Sequence, residues 1–280
     1  MSLVYACICP HPPVIVPEIG RGREEEAPRT IEAMRRVADE LSGYGAETAI
    51  IVSSHGPAQR QAMGIPIQHE VSGDFGRFGA ADVRFHFAID RELAALIQAE
   101  AAKGDVRITE LRRWEGGLDW GCTVPLYYLR EALQGAALLP LTVSWLEPRH
   151  HFAFGRAIGR ALADYRRPAV FVCSVDLSHT LAPDAPNGFD PAGQAFDERY
   201  RRTIDTWDVK WLTNLESDFR HHAAEDAVPQ TATLMGALSG YQIQPRVLSY
   251  EAPFGVGYLV AAIDILGPRH EAKAGKSEGP

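Results

Sequence analysis

The sequence predicts an α/β fold in one domain, a sheet with helices on both of its faces. Short β-rich runs alternate with longer amphipathic segments, as expected for a sheet covered by helices. No Pro/Gly/Ser-rich linker divides the 280 residues, and no internal repeat is present. A chain of this length buries enough apolar surface to fold without disulfides or a structural metal.

The expected strands are Ser2–Cys9, Glu47–Ser53, Leu138–Ser144 and Ala169–Ser174, with Gln244–Tyr250 and Val256–Ile265 as a closing pair. The first helix is expected over Arg29–Ser42, where Ile31, Met34, Val37, Ala38 and Leu41 recur on one face. Arg91–Lys103 follows Asp90, an N-cap candidate. Pro125–Leu133, Arg149–Asp164, Ile204–Leu215 and Gln230–Leu238 complete the helices. Gly64–Gly79 is glycine-rich and aperiodic, and reads as a long loop or a small excursion with edge strands. The domain is expected over residues 1–267, followed by a polar, flexible tail over 268–280.

Thirty-six acidic against 28 basic side chains give a formal charge of -8, which repels a polyanion and argues against nucleic acid as a partner. No apolar run approaches the roughly 18 residues that span a bilayer, and the N-terminus lacks a signal-peptide pattern. A cytoplasmic protein without a membrane partner is expected. Cys7, Cys9, Cys122 and Cys173 contain no C-x-x-C pair and read as buried thiols. Phosphate-binding glycine loops and a G-x-S-x-G elbow are absent.

The chemistry gathers at strand ends. His11 directly follows the first strand and is mounted among Pro10, Pro12 and Pro13. His55 follows the second strand and is bounded by Gly56 and Pro57; His179 follows the Ala169–Ser174 strand. In open α/β sheets, sites form beyond the carboxyl ends of strands. Asp176 either orients an imidazole or caps the next helix. Glu251 interrupts an apolar β pair, and a carboxylate there must be paired, protonated or metal-bound. Two imidazoles and one carboxylate are a donor set for Fe(II) or Zn²⁺ with open positions left over. His150–His151 and His221–His222 read as solvated, and His69 and His86 as edge-strand residues.

Five motifs in order, CPHPPVIVPEIG (9–20), VSSHGP (52–57), GLDWGCTVPLYYL (117–129), SVDLSHTL (174–181) and SYEAPFGVGYLVAA (249–262), resemble the LigB-type class III extradiol ring-cleavage dioxygenases. The likeness is strongest to the LigB-like domain of the AmmeMemoRadiSam group, related to the Memo proteins, and runs from Leu3 to about Ile265. The resemblance implies a three-layer αβα sandwich, phosphorylase/hydrolase-like, with a central mixed β-sheet. It implies His11, His55 and Glu251 as metal ligands and His179 as catalytic acid/base. Pro12, Asp119, Trp120, Asp176 and Ser178 are its substrate-pocket candidates. The implied cofactor is Fe(II), with Zn(II) or Mn(II) as alternatives. The implied partners are a catecholic aromatic and O₂, in a homo-oligomer. A zinc-dependent hydrolase and a Memo-like metal-binding protein are the alternative functions on this scaffold. In one departure, Trp120 stands where many dioxygenases carry a histidine near the substrate.

Overall fold

The computed structural model describes residues 2–57, 59–104 and 106–269. Part of the expected tail, residues 270–280, lies outside the described residues. The strands are β1 (Leu3–Cys9), β2 (Thr48–Ser53), β3 (Met63–Pro66), β4 (Glu70–Phe75), β5 (Ala80–Ala88), β6 (Ile108–Leu111), β7 (Ala137–Thr142), β8 (Ala169–Ser174), β9 (Tyr241–Glu251) and β10 (Tyr258–Pro268). The helices are α1 (Pro17–Gly20), α2 (Pro28–Ser42), α3 (Arg91–Lys103), α4 (Trp120–Leu129), α5 (Pro148–Asp164), α6 (Pro191–Thr206), α7 (Val209–Thr213), α8 (Ser217–Ala223) and α9 (Val228–Ala237).

The main sheet runs β7-β2-β8-β1-β10-β9. Strands β7, β2, β8 and β1 are mutually parallel, while β10 runs antiparallel to both β1 and β9. The sheet is therefore mixed, as expected. Its inner strands β2 and β8 are buried along their whole length and mostly apolar, the mark of strands covered on both faces. Consecutive strand residues point to opposite faces. Cys173 meets Thr231 of α9, whereas Ser174 meets Gly121 of α4, so these two helices cover opposite faces. Helix α2 packs beside α4, and α5 beside α9. The second pair is close: a Cβ on Gly155 would lie 2.0 Å from the Thr233 carbonyl oxygen, so only glycine admits this approach. Cys7 and Cys9 share a face, with their sulfurs 3.6 Å apart.

The segment around Gly64–Gly79 forms β3, which pairs with β6, and β4, which pairs with β5 in a hairpin. Two helices differ from expectation. The helix expected at Pro125 starts at Trp120, because Asp119 caps it by accepting the Cys122 N–H; Pro125 lies inside it. The helix expected over Ile204–Leu215 is two. Asp190 caps α6 ahead of Pro191, and Trp207 ends it in the left-handed conformation (φ 54°) before Asp208 caps α7. His151, expected to be solvated, is fully buried in α5, where its Nε2 accepts the Ser144 N–H (3.0 Å).

Candidate metal centre

Parallel β1, β2 and β8 all end at one edge of the sheet, with β8 in the middle. His11 leaves β1 and His55 leaves β2, from strands about 9–10 Å apart. Their rings meet over the end of β8. The prolines flanking His11 have no N–H, so its own is the donor to be satisfied. It donates to Asp176 Oδ1 (2.9 Å). The His11 ring is buried, and its Nδ1 lies 2.9 Å from Ser174 Oγ. The Ser174 hydroxyl donates its proton to the Gly121 carbonyl, which can only accept. The contact with His11 is therefore Nδ1–H donating to Ser174, and it leaves the Nε2 lone pair pointing away.

Three donors converge. His55 Nε2 lies 3.1 Å from His11 Nε2 and 3.1 Å from Asp226 Oδ2, and His11 Nε2 lies 3.3 Å from Asp226 Oδ2. An ion about 2.1 Å from three donors separates them by about 3.0 Å at right angles and about 3.4 Å in a tetrahedron. The observed triangle falls in that window, so His11, His55 and Asp226 fit a divalent cation.

Asp226 reaches the site through a bridge across the chain: Asp176 and Asp226 exchange backbone hydrogen bonds (3.2 and 3.1 Å) just before α9. Its carboxylate is held by Ser54 Oγ (2.7 Å on Oδ2) and Gln230 Nε2 (2.9 Å on Oδ1). Burial disfavours a charge on His11, but Asp176 and Asp226 outweigh it and push the pKa up to about 9. Burial likewise resists a charge on Asp226, and the His11 and His55 contacts overcome it, holding the carboxyl well below its ordinary range.

Glu251, expected to join His11 and His55, does not stand with them. It stands at the end of edge strand β9, two strands beyond β1. Its oxygens accept the Thr30 N–H (2.6 Å) and Arg29 Nε (3.2 Å), so it caps α2. The apolar surroundings did signal a paired carboxylate; the pair is a helix N-terminus. Asp226 is the carboxylate that stands with His11 and His55. In the sequence it ends a charged stretch, RHHAAED, that resembles solvated loop. The sign in the sequence was an acidic pair, Glu225-Asp226, directly ahead of a Pro-opened helix.

His179 is tied to the segment that carries Asp226. Its N–H donates to the Ala223 carbonyl (3.3 Å) and its Nδ1–H to the Ala224 carbonyl (2.9 Å). A carbonyl only accepts, so the neutral ring keeps its Nε2 lone pair free. An open cleft of about 590 Å³ adjoins His55, between the β4–β5 hairpin and the 114–120 segment. Asp119 and Trp120 line it. Trp120 stacks on His55, while Asp119 is engaged by Ser53 Oγ (2.6 Å). Pro12, Asp176 and Ser178 do not line this cleft: all three are buried, Asp176 holding the His11 backbone and Ser178 bonded to the Ala223 carbonyl (2.8 Å).

The profile of the family described as "Catalytic LigB subunit of aromatic ring-opening dioxygenase" matches residues 5–261. Protein CA_C1420 of Clostridium acetobutylicum is 33% identical over 272 residues, covering 94% of this chain and 58% of that protein; the chain thus spans little more than half of its relative's length. The crystal structure of the uncharacterized protein JW3007 from Escherichia coli K12 superposes with a TM-score of 0.60 at 14% identity, covering 93% of this chain and 99% of that one, a likeness of fold. By the extent of the profile match and the identity to its relative, the chain belongs to the LigB family of catalytic subunits of aromatic ring-opening dioxygenases.

Proposed function

We propose that this protein is a non-haem Fe(II) extradiol dioxygenase that opens a catecholic ring with O₂, using His11, His55 and Asp226 as ligands and His179 as acid/base. The observation that carries this reading is the triangle of two imidazole nitrogens and one carboxylate oxygen at 3.1–3.3 Å, beside an open cleft. When bound, Fe(II) supplies open positions for the diol oxygens and for O₂, and passes electron density between them.

The protein's own residues do the rest. Ser174 and Asp176 fix the His11 ring and backbone. Trp120 offers an aromatic wall beside His55 for a planar substrate. His179 Nε2 takes a phenolic proton and later returns one to oxygen. The ring bond beside the diol breaks, and both atoms of O₂ end in the product. Mn(II) can serve the same donors. Cytoplasmic residence and a homo-oligomer belong to the same reading; among the described residues no helix is long and apolar enough to cross a membrane.

Trp120 favours a second reading. It removes the family histidine, while the same donors suit Zn²⁺ activating water, or a Memo-like protein that only binds metal. Reconstitution with Fe(II) under anaerobic conditions, followed by O₂ uptake on a catechol panel, tests the first reading. Oxygen consumption with a ring-opened product is expected, and His179→Ala should keep the ion while losing at least about 100-fold in turnover. Zinc-dependent activity indifferent to O₂ would replace the dioxygenase reading with the hydrolase. Retained metal without either activity would leave the binding protein.

A further inference from the structure

We propose that Pro125 and Ser174 form a relay that sets the ring of His11 for cation binding; this rests on reading His11 as a metal ligand. In an α-helix the carbonyl of residue 121 is normally bonded by the N–H of residue 125. Here residue 125 is proline, inside α4, and brings no N–H. The proline ring also crowds the carbonyl four residues earlier and turns it outward. That carbonyl, Gly121, receives the Ser174 hydroxyl from the end of β8. Its proton spent there, Ser174 can only accept from His11 Nδ1–H, at 2.9 Å.

The relay has a consequence at the opposite nitrogen. His11 with its hydrogen on Nδ1 presents a lone pair at Nε2 toward His55 and Asp226. With the hydrogen on Nε2 instead, His11 would donate to Asp226 Oδ2 at 3.3 Å and close the site to a cation. A helix-interior proline therefore acts on a metal ligand it does not touch, through one carbonyl and one hydroxyl. Glycine at the middle of the relay leaves room for its neighbour: a Cβ at Gly121 would lie 2.2 Å from Ser53 Oγ and displace that hydroxyl.

Both members are positioning residues, and their tests separate positioning from general support of the fold. Affinity for Co(II) and Zn(II) alone is measured by chelator competition on the full chain, together with Tm of the metal-free protein. Ser174→Ala should weaken cation binding about 10- to 100-fold, the usual range for removing the partner of a ligating imidazole. Pro125→Ala restores the helical donor to Gly121 and lets the carbonyl turn back. It should weaken binding at least about threefold while Tm holds or rises, since proline in a helix interior is destabilising. A purely structural role would move affinity and Tm in the same direction. The double variant should bind no worse than Ser174→Ala, because both act on one bond. In the zinc-loaded wild type, the His11 Nδ1–H proton resonance should be slow to exchange, and it should be lost in Ser174→Ala. Binding unchanged in both single variants, or strictly additive losses, would overturn the relay alone. A wild-type chain that takes up neither ion would overturn the metal centre and the relay with it.

Discussion

Trp120 lies against His55 with ring centroids 4.0 Å apart and planes inclined by 28°. The indole also carries Arg77, whose guanidinium carbon is 5.0 Å from a Trp120 ring centroid. One aromatic residue thus joins a candidate ligand to the wall of the cleft.

This stack gives the first prediction. Trp120→Ala removes an aromatic contact worth about 0.5–1.5 kcal/mol but no donor atom. Cation uptake should stay within about threefold of wild type, while a catechol should bind roughly 3- to 10-fold more weakly by calorimetry on the metal-loaded protein. Loss of the metal in this variant would show that the indole holds His55 in place instead of serving the substrate.

A second prediction separates the two carboxylates. Asp226→Asn removes one of the three converging oxygen and nitrogen donors and should abolish retention of Fe(II) or Zn(II) through gel filtration. Glu251→Gln should keep the metal, because its carboxylate caps α2 through Thr30 and Arg29. Its effect should be on stability, a loss of about 1 kcal/mol as the charge leaves a helix N-terminus. Metal content after desalting, measured on both variants, decides which acid is the ligand. A metal-free Glu251→Gln beside a loaded Asp226→Asn would make Glu251 the ligand and not Asp226.

The histidines at the ends of β1, β2 and β8 were legible because strand, histidine and chain-breaking residues are local patterns. Parallel pairing then brought those ends to one edge, so His11 and His55 met as the pattern implied, although with β8 between them. Asp226 was not legible in the same way. Its position depends on a backbone bridge to Asp176, fifty residues earlier, and no local spacing encodes that bridge. Glu251 misled for a related reason. Its strand ends at the correct edge of the sheet, yet lies two strands too far out, a distance that strand order alone determines. Proline usually stands at a helix start, which is what Pro125 suggests in the sequence; Asp119 caps the helix earlier and the proline falls inside it.

The third prediction concerns two buried groups away from the donor triangle whose titrations oppose each other. Burial pushes the His151 pKa down to about 4, and its Nε2 lone pair is occupied by the Ser144 N–H. The unfolded chain takes up this proton near pH 6.5 and the folded chain does not, so stability falls as pH drops from 6.5 to about 4 and levels off below. The loss is about 3 kcal/mol for this shift. Asp197 behaves in the reverse sense. Burial raises its pKa to about 7, despite hydrogen bonds from Tyr250 Oη (2.7 Å) and the Ser178 N–H (2.9 Å). Stability from this group is full below pH 3.8 and is lost as pH rises to about 7, a change of about 4 kcal/mol. In the wild type the two slopes largely cancel between pH 4 and 6.5. Each single variant should expose the other's slope. Denaturant titrations of Asp197→Asn should show stability falling as the solution is acidified across that interval, and those of His151→Gln should show it rising. Parallel curves for wild type and both variants would mean that neither group changes its proton affinity on folding, and the buried, neutral states assigned to them would have to be given up.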